Sequence, residues 1–128
     1  MRMKTHHALA LAVLSAMAGA GLSQGLHAQV KPHAYVLAET EVTDPSAFKT
    51  YGEGTAAIVP KAGGKFTVNG GRTFVINGAA PKRLAVIEWD SFEQAQAFYQ
   101  SDSYQKLVPY RDKGSNFRAV LVEGLPSQ

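Results

Sequence analysis

The stretch RLAVIEWDSFEQAQAFYQ, residues 83–100, decides the fold of this chain. Residues 83–89 are mostly aliphatic or aromatic and form the clearest strand pattern in the sequence. Ser91 and Gln94 follow at the spacing of a capping box, which predicts that a helix begins there. A strand therefore passes directly into a helix that carries Phe98 and Tyr99.

Two further elements are predicted downstream of this stretch. Ser101 provides a second helix cap, so the helix is expected to bend and restart, carrying Tyr104 and ending before Pro109. Residues 116–123, NFRAVLVE, form a last strand, and a short polar tail follows.

A similar strand and helix precede the stretch. Residues 34–42, AYVLAETEV, read as a strand, and Asp44 with Pro45 is a typical helix start. Residues at helical spacing then follow until Pro60 and the glycine pair Gly63-Gly64 end the helix: Phe48, Tyr51, Thr55 and Ile58 or Val59.

The segment between the first helix and residue 83 is open to two interpretations. Residues 65–69 and 72–76 are both strand-like and flank Gly70-Gly71. They form either a tight hairpin or one long bulged strand, and we favour the bulged strand.

The order strand, helix, strand, strand, helix, strand predicts an α+β domain with the ferredoxin-like βαββαβ arrangement. Its four-stranded antiparallel sheet would carry both helices on one face, since crossover connections are right-handed. Strand alternation assigns a set of apolar residues to the face under the helices: Val36, Ala38, Ala85, Ile87, Trp89, Val120 and Val122.

The opposite face of the sheet is also largely apolar in this prediction. It carries Tyr35, Leu37, Leu84 and Val86 together with two glutamates. A sheet with two apolar faces needs cover on both, which the helices cannot supply. We therefore expect a homodimer in which the two sheets pack face to face.

The N-terminal residues 1–28 have the pattern of a cleaved signal peptide. Arg2 and Lys4 precede the apolar run ALALAVLSAMA, residues 8–18, which is too short to span a bilayer. Cleavage after Ala28 is favoured over cleavage after Ala20, so the mature domain is expected to be residues 29–128 in the periplasm or outside the cell. The chain contains no cysteine, which excludes disulfides and a lipoprotein anchor.

Removing the leader changes which functions are plausible for the domain. The leader holds two of the 13 basic residues and none of the 10 acidic ones, so the mature domain is near neutral. We therefore expect no nucleic-acid partner and no membrane association of the mature form. Only His33 of the four histidines remains, which argues against metal sites, and no cofactor is expected.

Several short motifs are familiar in combination: GGKF at residues 63–66, NGG at 69–71, PKR at 81–83, VIEW at 86–89, FYQS at 98–101 and VEG at 122–124. On these residues the chain resembles the domain of unknown function 1330 family over residues 34–124. The resemblance implies a dimeric α+β barrel of the ferredoxin-like superfamily. That superfamily includes cofactor-free monooxygenases, muconolactone-type isomerases, haem-handling proteins and proteins without known activity. Asn69 stands where an arginine commonly precedes the glycine pair.

Two carboxylates are the candidate catalytic residues. Glu39 and Glu88 fall on the same predicted face of neighbouring strands, where a close pair in a dry cavity would share a proton and serve in acid-base chemistry. The alternative is that both are solvated, or paired with an arginine.

Candidate ligand-binding residues are aromatic or cationic: Arg83, Arg111, Tyr104, Tyr35, Trp89 and Arg72. The aromatic residues are equally typical of a core, and the arginines of a solvated surface. The sequence thus predicts a protein that binds a small apolar or aromatic molecule in a barrel cavity. The alternatives are a cofactor-independent monooxygenase or isomerase, and a structural dimer without activity.

Overall fold

The computed structural model describes residues 30–128, and the predicted leader lies outside them. The elements in chain order are β1 (Ala34–Val42), α1 (Pro45–Lys61), β2 (Lys65–Asn69), β3 (Arg83–Trp89), α2 (Phe92–Gln100), α3 (Asp102–Gln105), α4 (Val108–Gly114) and β4 (Ser115–Glu123). Among these described residues, no helix is long and apolar enough to cross a membrane.

The strands form one antiparallel sheet in the order β2-β3-β1-β4. This is the ferredoxin-like βαββαβ topology that the element order predicts. The prediction of the α+β fold is therefore confirmed, with the second helical region divided into α2, α3 and α4.

Side-chain caps set the starts of the helices. The Oδ1 atom of Asp44 accepts hydrogen bonds from the backbone N–H groups of Ser46 and Ala47, at 3.1 and 3.3 Å. The backbone N–H of Gln94 donates to Ser91 Oγ at 3.2 Å, while its side-chain Oε1 accepts from the Asp90 N–H at 3.1 Å. The capping box thus satisfies one free donor of the first turn, the Gln94 N–H, and the Gln94 side chain binds the N–H of the residue before the cap.

Two prolines lie elsewhere than predicted. Helix α1 continues past Pro60 to Lys61, and Pro109 lies in the first turn of α4 instead of after the end of a helix. The first turn of a helix tolerates proline because its N–H groups have no partner within the helix. The restart at Ser101 is confirmed, since Ser101 Oγ accepts from the Tyr104 N–H at 3.3 Å.

The core lies between the helices and one face of the sheet. Trp89 is buried there with its ring 4.9 Å from that of Phe98, and Val36, Val59 and Ile87 pack in the same cluster. Ala38 and Thr40 continue this buried face along β1.

The assignment of Val120 and Val122 to the helix-covered face is wrong. Val120 lies opposite Leu37 in the pairing of β1 with β4, and opposed residues point to the same face of a sheet. Leu121 lies opposite Val36 and takes the inner position instead. Alternation within β4 separates two sets of residues but does not say which set faces the helices.

The prediction that residues 72–76 form a strand is also wrong. The chain leaves the sheet after Gly70, whose N–H donates to the Leu84 carbonyl at 2.7 Å, and positive φ angles at Gly70 and Gly71 turn the backbone away. The strand irregularity lies earlier, between Phe66 and Val68. Residues 71–82 therefore form an irregular segment on which Phe74 and Ile76 are 90% and 93% exposed.

The face of the sheet away from the helices has an apolar row at its centre, between charged residues, that no other element of residues 30–128 covers. Register aligns Val68, Val86, Leu37 and Val120 in one row across all four strands. Leu37, Val68 and Val120 are exposed, with Val120 at 57%. We refer to this row as the open sheet face.

Candidate functional site

A cavity of about 440 Å³ lies between the helix-covered face of the sheet and α1. Strand alternation points small and branched residues into it from β1 and β3, and the apolar stripe of α1 forms the facing wall. The apolar lining consists of Val36, Ala38, Phe48, Ala56, Val59, Phe66, Ala85, Ile87 and Phe117. The site is therefore predominantly hydrophobic.

Hydroxyl groups of two tyrosines meet at this cavity. Tyr51 from α1 and Tyr104 from α3 both line it, and their Oη atoms lie 3.1 Å apart. Arg111 of α4 donates from Nη1 to Tyr104 Oη at 3.1 Å, and its guanidinium lies over the ring of Phe117, 4.9 Å from the centroid. Three helices thus contribute to one hydrogen-bonded chain at the cavity wall.

Tyr99 of α2 also lines the cavity. Its ring packs edge-on against Tyr104, with centroids 4.8 Å apart, and against Trp89 at 5.9 Å. The Oη atom of Tyr99 is buried and has no hydrogen-bond partner among residues 30–128, nor has the nearby Nε1 of Trp89. The indole acts to lower the pKa of the Tyr99 hydroxyl, so these two buried polar groups lie against each other in the core.

Burial controls the protonation of these groups. It raises the pKa of Tyr51 far above the ordinary range of tyrosine, and Tyr104 adds to the rise. Burial likewise raises the pKa of Tyr99, against a smaller opposing effect of the Trp89 indole. Burial acts to lower the pKa of Arg111, but hydrogen bonds to Tyr104 and Asp112 outweigh it and leave the pKa raised. At neutral pH Tyr51 and Tyr99 are therefore protonated hydrogen-bond donors.

A cationic group lies on the β2–β3 side of the cavity. Arg83 lines the cavity, donates from Nη2 to Asn69 Oδ1 at 2.8 Å and lies 6.0 Å from the ring centroid of Phe48. Asn69, the residue that departs from the common arginine, thus serves as the acceptor that orients Arg83. Since Arg83 is exposed, it contributes to the cavity rim.

The expected pairing of Glu39 with Glu88 does not occur. Glu39 lies opposite Leu84 and Glu88 opposite Tyr35, which leaves about 13 Å of strand between the two carboxylates. Glu39 accepts from Arg118 Nη2 at 3.2 Å.

Glu88 has a partner of its own, and neither carboxylate reaches the cavity. Glu88 Oε1 lies 2.7 Å from His33 Nδ1. Neither Glu39 nor Glu88 lines the cavity, which lies on the other face of the sheet. A catalytic role for either residue stays a prediction without support from this geometry.

The structure separates the predicted ligand-binding residues. Tyr104 and Arg83 line the cavity, and Arg111 lies one hydrogen bond behind Tyr104. Trp89 is a core residue behind Tyr99, Tyr35 lies on the opposite face of the sheet, and Arg72 is exposed on the irregular segment.

Sequence reasoning did not identify Tyr51 as part of the site. It treated Tyr51 as one apolar position on the helix stripe that runs through Thr55 to Val59. The signal was available in principle, because hydroxyl-bearing residues at buried helix positions need hydrogen-bond partners. Thr55 finds its partners in the backbone carbonyls of Tyr51 and Gly52, at 3.1 Å each, and Tyr51 finds Tyr104.

The described residues offer no arrangement of three or more histidine, aspartate or glutamate side chains that could hold a metal ion. The polar groups at the cavity are phenols, hydroxyls, an amide, a guanidinium and the exposed Lys49–Glu53 pair at its mouth. Such groups bind and orient an organic molecule and can hold a proton.

Comparisons with known proteins agree with the fold. The family model described as domain of unknown function (DUF1330) matches residues 33–125. Curated proteins give no match to this sequence.

Solved structures resemble the chain at low sequence identity. A protein of unknown function from Rhodopseudomonas palustris aligns with TM-score 0.61 and 15% identity, covering 83% of this chain and 93% of its own. A conserved protein of unknown function from Bacteroides thetaiotaomicron, described as a possible oxidoreductase, aligns with TM-score 0.53 and 13% identity, covering 73% and 99%. A dimeric protein of ferredoxin-like fold from Bacteroides fragilis aligns with TM-score 0.49 and 10% identity, covering 72% and 96%. At sequence identities this low, structural similarity shows a shared fold and nothing about function.

Proposed function

The chain belongs to the DUF1330 family, and we propose that it binds a small, mostly apolar or aromatic molecule in the cavity between α1 and the sheet. The observation that carries the proposal is the cavity itself. Its volume of about 440 Å³ and its apolar lining with few polar groups are typical of small-molecule sites. Close packing is the rule in protein interiors, so a space of this size in a small domain favours a binding role.

A second candidate is a cofactor-independent monooxygenase or isomerase that uses the same cavity. The observation in its favour is the chain Tyr51–Tyr104–Arg111, in which phenolic protons lie beside a cation at an apolar wall. Groups in this arrangement can donate hydrogen bonds to negative charge that develops on a bound molecule during a reaction. A purely structural dimer, the third candidate, would not need the cavity.

We also propose that the protein is a homodimer joined through the open sheet face. Exposed apolar residues run across all four strands, and Phe74 and Ile76 add exposed apolar surface on the irregular segment. Exposed patches of this kind on soluble proteins commonly mark interfaces. The cavity lies on the opposite face, so each protomer would keep its own site.

Export of the protein is part of the proposal and rests on the leader sequence. The mature protein would begin near residue 29 and act in the periplasm or outside the cell. Sequencing the N-terminus of protein recovered from its native compartment tests this, and a chain that still begins at Met1 would contradict it.

The binding proposal is tested by blocking the cavity. Ala56 lines it, whereas the adjacent Ala57 does not, and both are exposed on α1. Ala56→Phe is expected to abolish saturable binding of tetralin, an apolar bicyclic probe, in ligand-observed NMR, while Ala57→Phe leaves binding intact. Absence of tetralin binding to the unmodified chain, or equal loss in both variants, would contradict the proposal.

A further inference from the structure

The mouth of the cavity carries a cation that has no acidic partner. Among the residues that line the cavity, only Lys49, Glu53 and Arg83 have side chains that are ionised at neutral pH. Lys49 and Glu53 lie 3.8 Å apart and offset each other's charge. Arg83 forms no ion pair with a carboxylate of residues 30–128, and a guanidinium stays protonated in proteins. The mouth therefore has a net positive charge, centred on Arg83.

Two contacts hold the Arg83 guanidinium at this mouth. Its Nη2 atom donates to Asn69 Oδ1 at 2.8 Å, and its Cζ atom lies 6.0 Å from the ring centroid of Phe48. Asn69 is a neutral amide, so it orients the guanidinium without cancelling the charge. A guanidinium has five N–H donors in a planar fork, and the bond to Asn69 leaves others free for a second acceptor.

A buried hydroxyl lies beside Arg83 on the same face of the sheet. Thr40 of β1 is directly opposite Arg83 of β3, where the Cα atoms of antiparallel strands are about 4.5–5.5 Å apart. Thr40 lines the cavity and is 7% exposed. The hydroxyl of Thr55 is bonded within α1, whereas that of Thr40 makes no hydrogen bond to residues 30–128 and is not closed off from water. Thr40 thus offers a free hydroxyl just inside the mouth.

The interior behind these groups suits an apolar body and not a charge. Mostly apolar residues of β1, β3 and α1 line it. Arg111 is bonded to Tyr104 and Asp112 and does not line the cavity. An anion placed deep inside would lose its water without contacting a cation, whereas at the mouth it would stay partly hydrated beside Arg83.

We propose that the ligand is a carboxylic acid with an aromatic or aliphatic body, bound as its anion. Its carboxylate accepts hydrogen bonds from the Arg83 guanidinium and the Thr40 hydroxyl, and its body fills the apolar interior. This inference rests on the proposed binding function and names the ligand class of the same cavity. The carboxylate provides the negative charge that Arg83 lacks and the hydrogen-bond partner that Thr40 lacks.

The test compares 2-naphthoate with 2-naphthamide, which has nearly the same shape and no charge, on the purified protein at neutral pH. A hydrogen bond to a charged group changes affinity by roughly tenfold, so calorimetry is expected to show that 2-naphthoate binds tighter by that factor. Arg83→Gln is expected to remove this preference and to leave tetralin binding unchanged. Arg72→Gln removes the same charge from an exposed arginine that does not line the cavity, and it is expected to retain the preference.

Thr40→Val tests the second contact. It removes the hydroxyl and keeps the branched shape of the side chain, so it is expected to weaken 2-naphthoate binding by roughly threefold or more and to leave tetralin binding unchanged.

The outcomes separate this inference from the binding proposal. If tetralin does not bind, the binding proposal fails and this inference fails with it. If tetralin binds but 2-naphthamide binds as tightly as 2-naphthoate, the carboxylate inference is overturned while cavity binding stands. A preference for 2-naphthoate that survives in Arg83→Gln, or that is lost equally in Arg72→Gln, would also overturn it. Should Arg83→Gln not fold, unchanged 2-naphthoate affinity in Thr40→Val would be decisive against it.

Discussion

The Oη atoms of Tyr51 and Tyr104 lie 3.1 Å apart although the two residues are 53 positions apart in the sequence. Tyr51 is in the middle of α1, and Tyr104 is in the one-turn helix α3, which begins at the Ser101 cap. The contact therefore depends on how α3 is placed against α1, and Arg111 holds it from a third helix. The proposed binding site and the stability of the fold therefore depend on the same residues.

Removing the Tyr104 hydroxyl is expected to destabilise the fold. Tyr104→Phe leaves Tyr51 Oη and Arg111 Nη1 without their common partner, and such losses cost about 1–3 kcal/mol. The measurement is the free energy of unfolding from urea denaturation. Tyr110→Phe, on an exposed tyrosine, is the matched control and is expected to change it by less than about 0.5 kcal/mol.

A double-mutant cycle isolates the bond itself. If Tyr51 and Tyr104 are coupled, the double Phe variant loses less stability than the two single variants together. Strictly additive losses would show that the 3.1 Å contact contributes nothing to stability.

Stability is expected to fall steeply in alkaline solution. In the unfolded chain tyrosine ionises near pH 10, whereas burial raises the folded pKa of Tyr51 and Tyr99. Their contribution to stability is complete below about pH 10 and is lost progressively as the pH rises toward the folded pKa values, because the unfolded state then binds fewer protons. Each such tyrosine adds up to about 1.4 kcal/mol per pH unit to the slope.

The pH dependence is checked by urea midpoints measured on both sides of pH 10, together with tyrosinate absorbance. Tyr51→Phe is expected to flatten the alkaline slope, since it removes one of the two tyrosines that ionise late. If the alkaline slope of stability is the same in Tyr51→Phe, Tyr99→Phe and the unmodified protein, burial does not raise the pKa of these two tyrosines as proposed.

Two helical glycines are expected to respond oppositely to alanine. A Cβ on Gly114 would lie 2.8 Å from Phe48 Cα, against backbone that cannot move aside easily, whereas one on Gly52 would meet nothing within 4 Å. The Gly114 carbonyl also accepts from the Thr43 and Asp44 N–H groups, so α4 and the start of α1 are joined closely.

Gly114→Ala is therefore expected to lower the free energy of unfolding by at least about 1–3 kcal/mol. Gly52→Ala, inside α1, is expected to raise it by about 0.5–1 kcal/mol, because alanine has the higher helix propensity. Thermal and urea unfolding measure both changes. Equal effects of the two substitutions would show that the close approach of α4 to α1 does not constrain residue 114.

Local signals in the sequence were sufficient for most of the fold. The bounds 34–42 of β1, the cap at Asp44 and the restart at Ser101 follow from residue types within a few positions, and the structure confirms them. The order of these elements then leaves the ferredoxin-like topology as the natural arrangement. Residues 72–76 had the composition of a strand but no strand to pair with, and β propensity is realised only in a sheet.

The site was harder to predict because it depends on register. Alternation along β4 could not decide whether Val120 or Leu121 faces the helices. The distance between Glu39 and Glu88 is set by the register of β1 against β3, which the sequence alone does not give. Tyr104 was recognised as an aromatic candidate, but its hydroxyl contact with Tyr51 arises only from tertiary packing.

Charged substitutions on the open sheet face are expected to separate the proposed dimer. Leu37 and Val120 lie opposite each other at the centre of this face, and a stable interface must bury more than about 1,000 Å² of largely apolar surface. Leu37→Asp or Val120→Asp would put an unpaired charge in that interface, a change that costs several kcal/mol. Light scattering at micromolar concentration is expected to give a dimer mass for the unmodified protein and a monomer mass for either variant.

The control for this experiment is Leu125→Asp, which changes an equally apolar residue that is 90% exposed beyond the end of β4. It adds the same charge without entering the open sheet face, so the dimer is expected to persist. Because the cavity lies on the other face of the sheet, the monomeric variants are expected to bind tetralin as the dimer does. A monomer mass for the unmodified protein would contradict the dimer, and loss of tetralin binding in folded monomers would show that the two faces of the sheet are coupled.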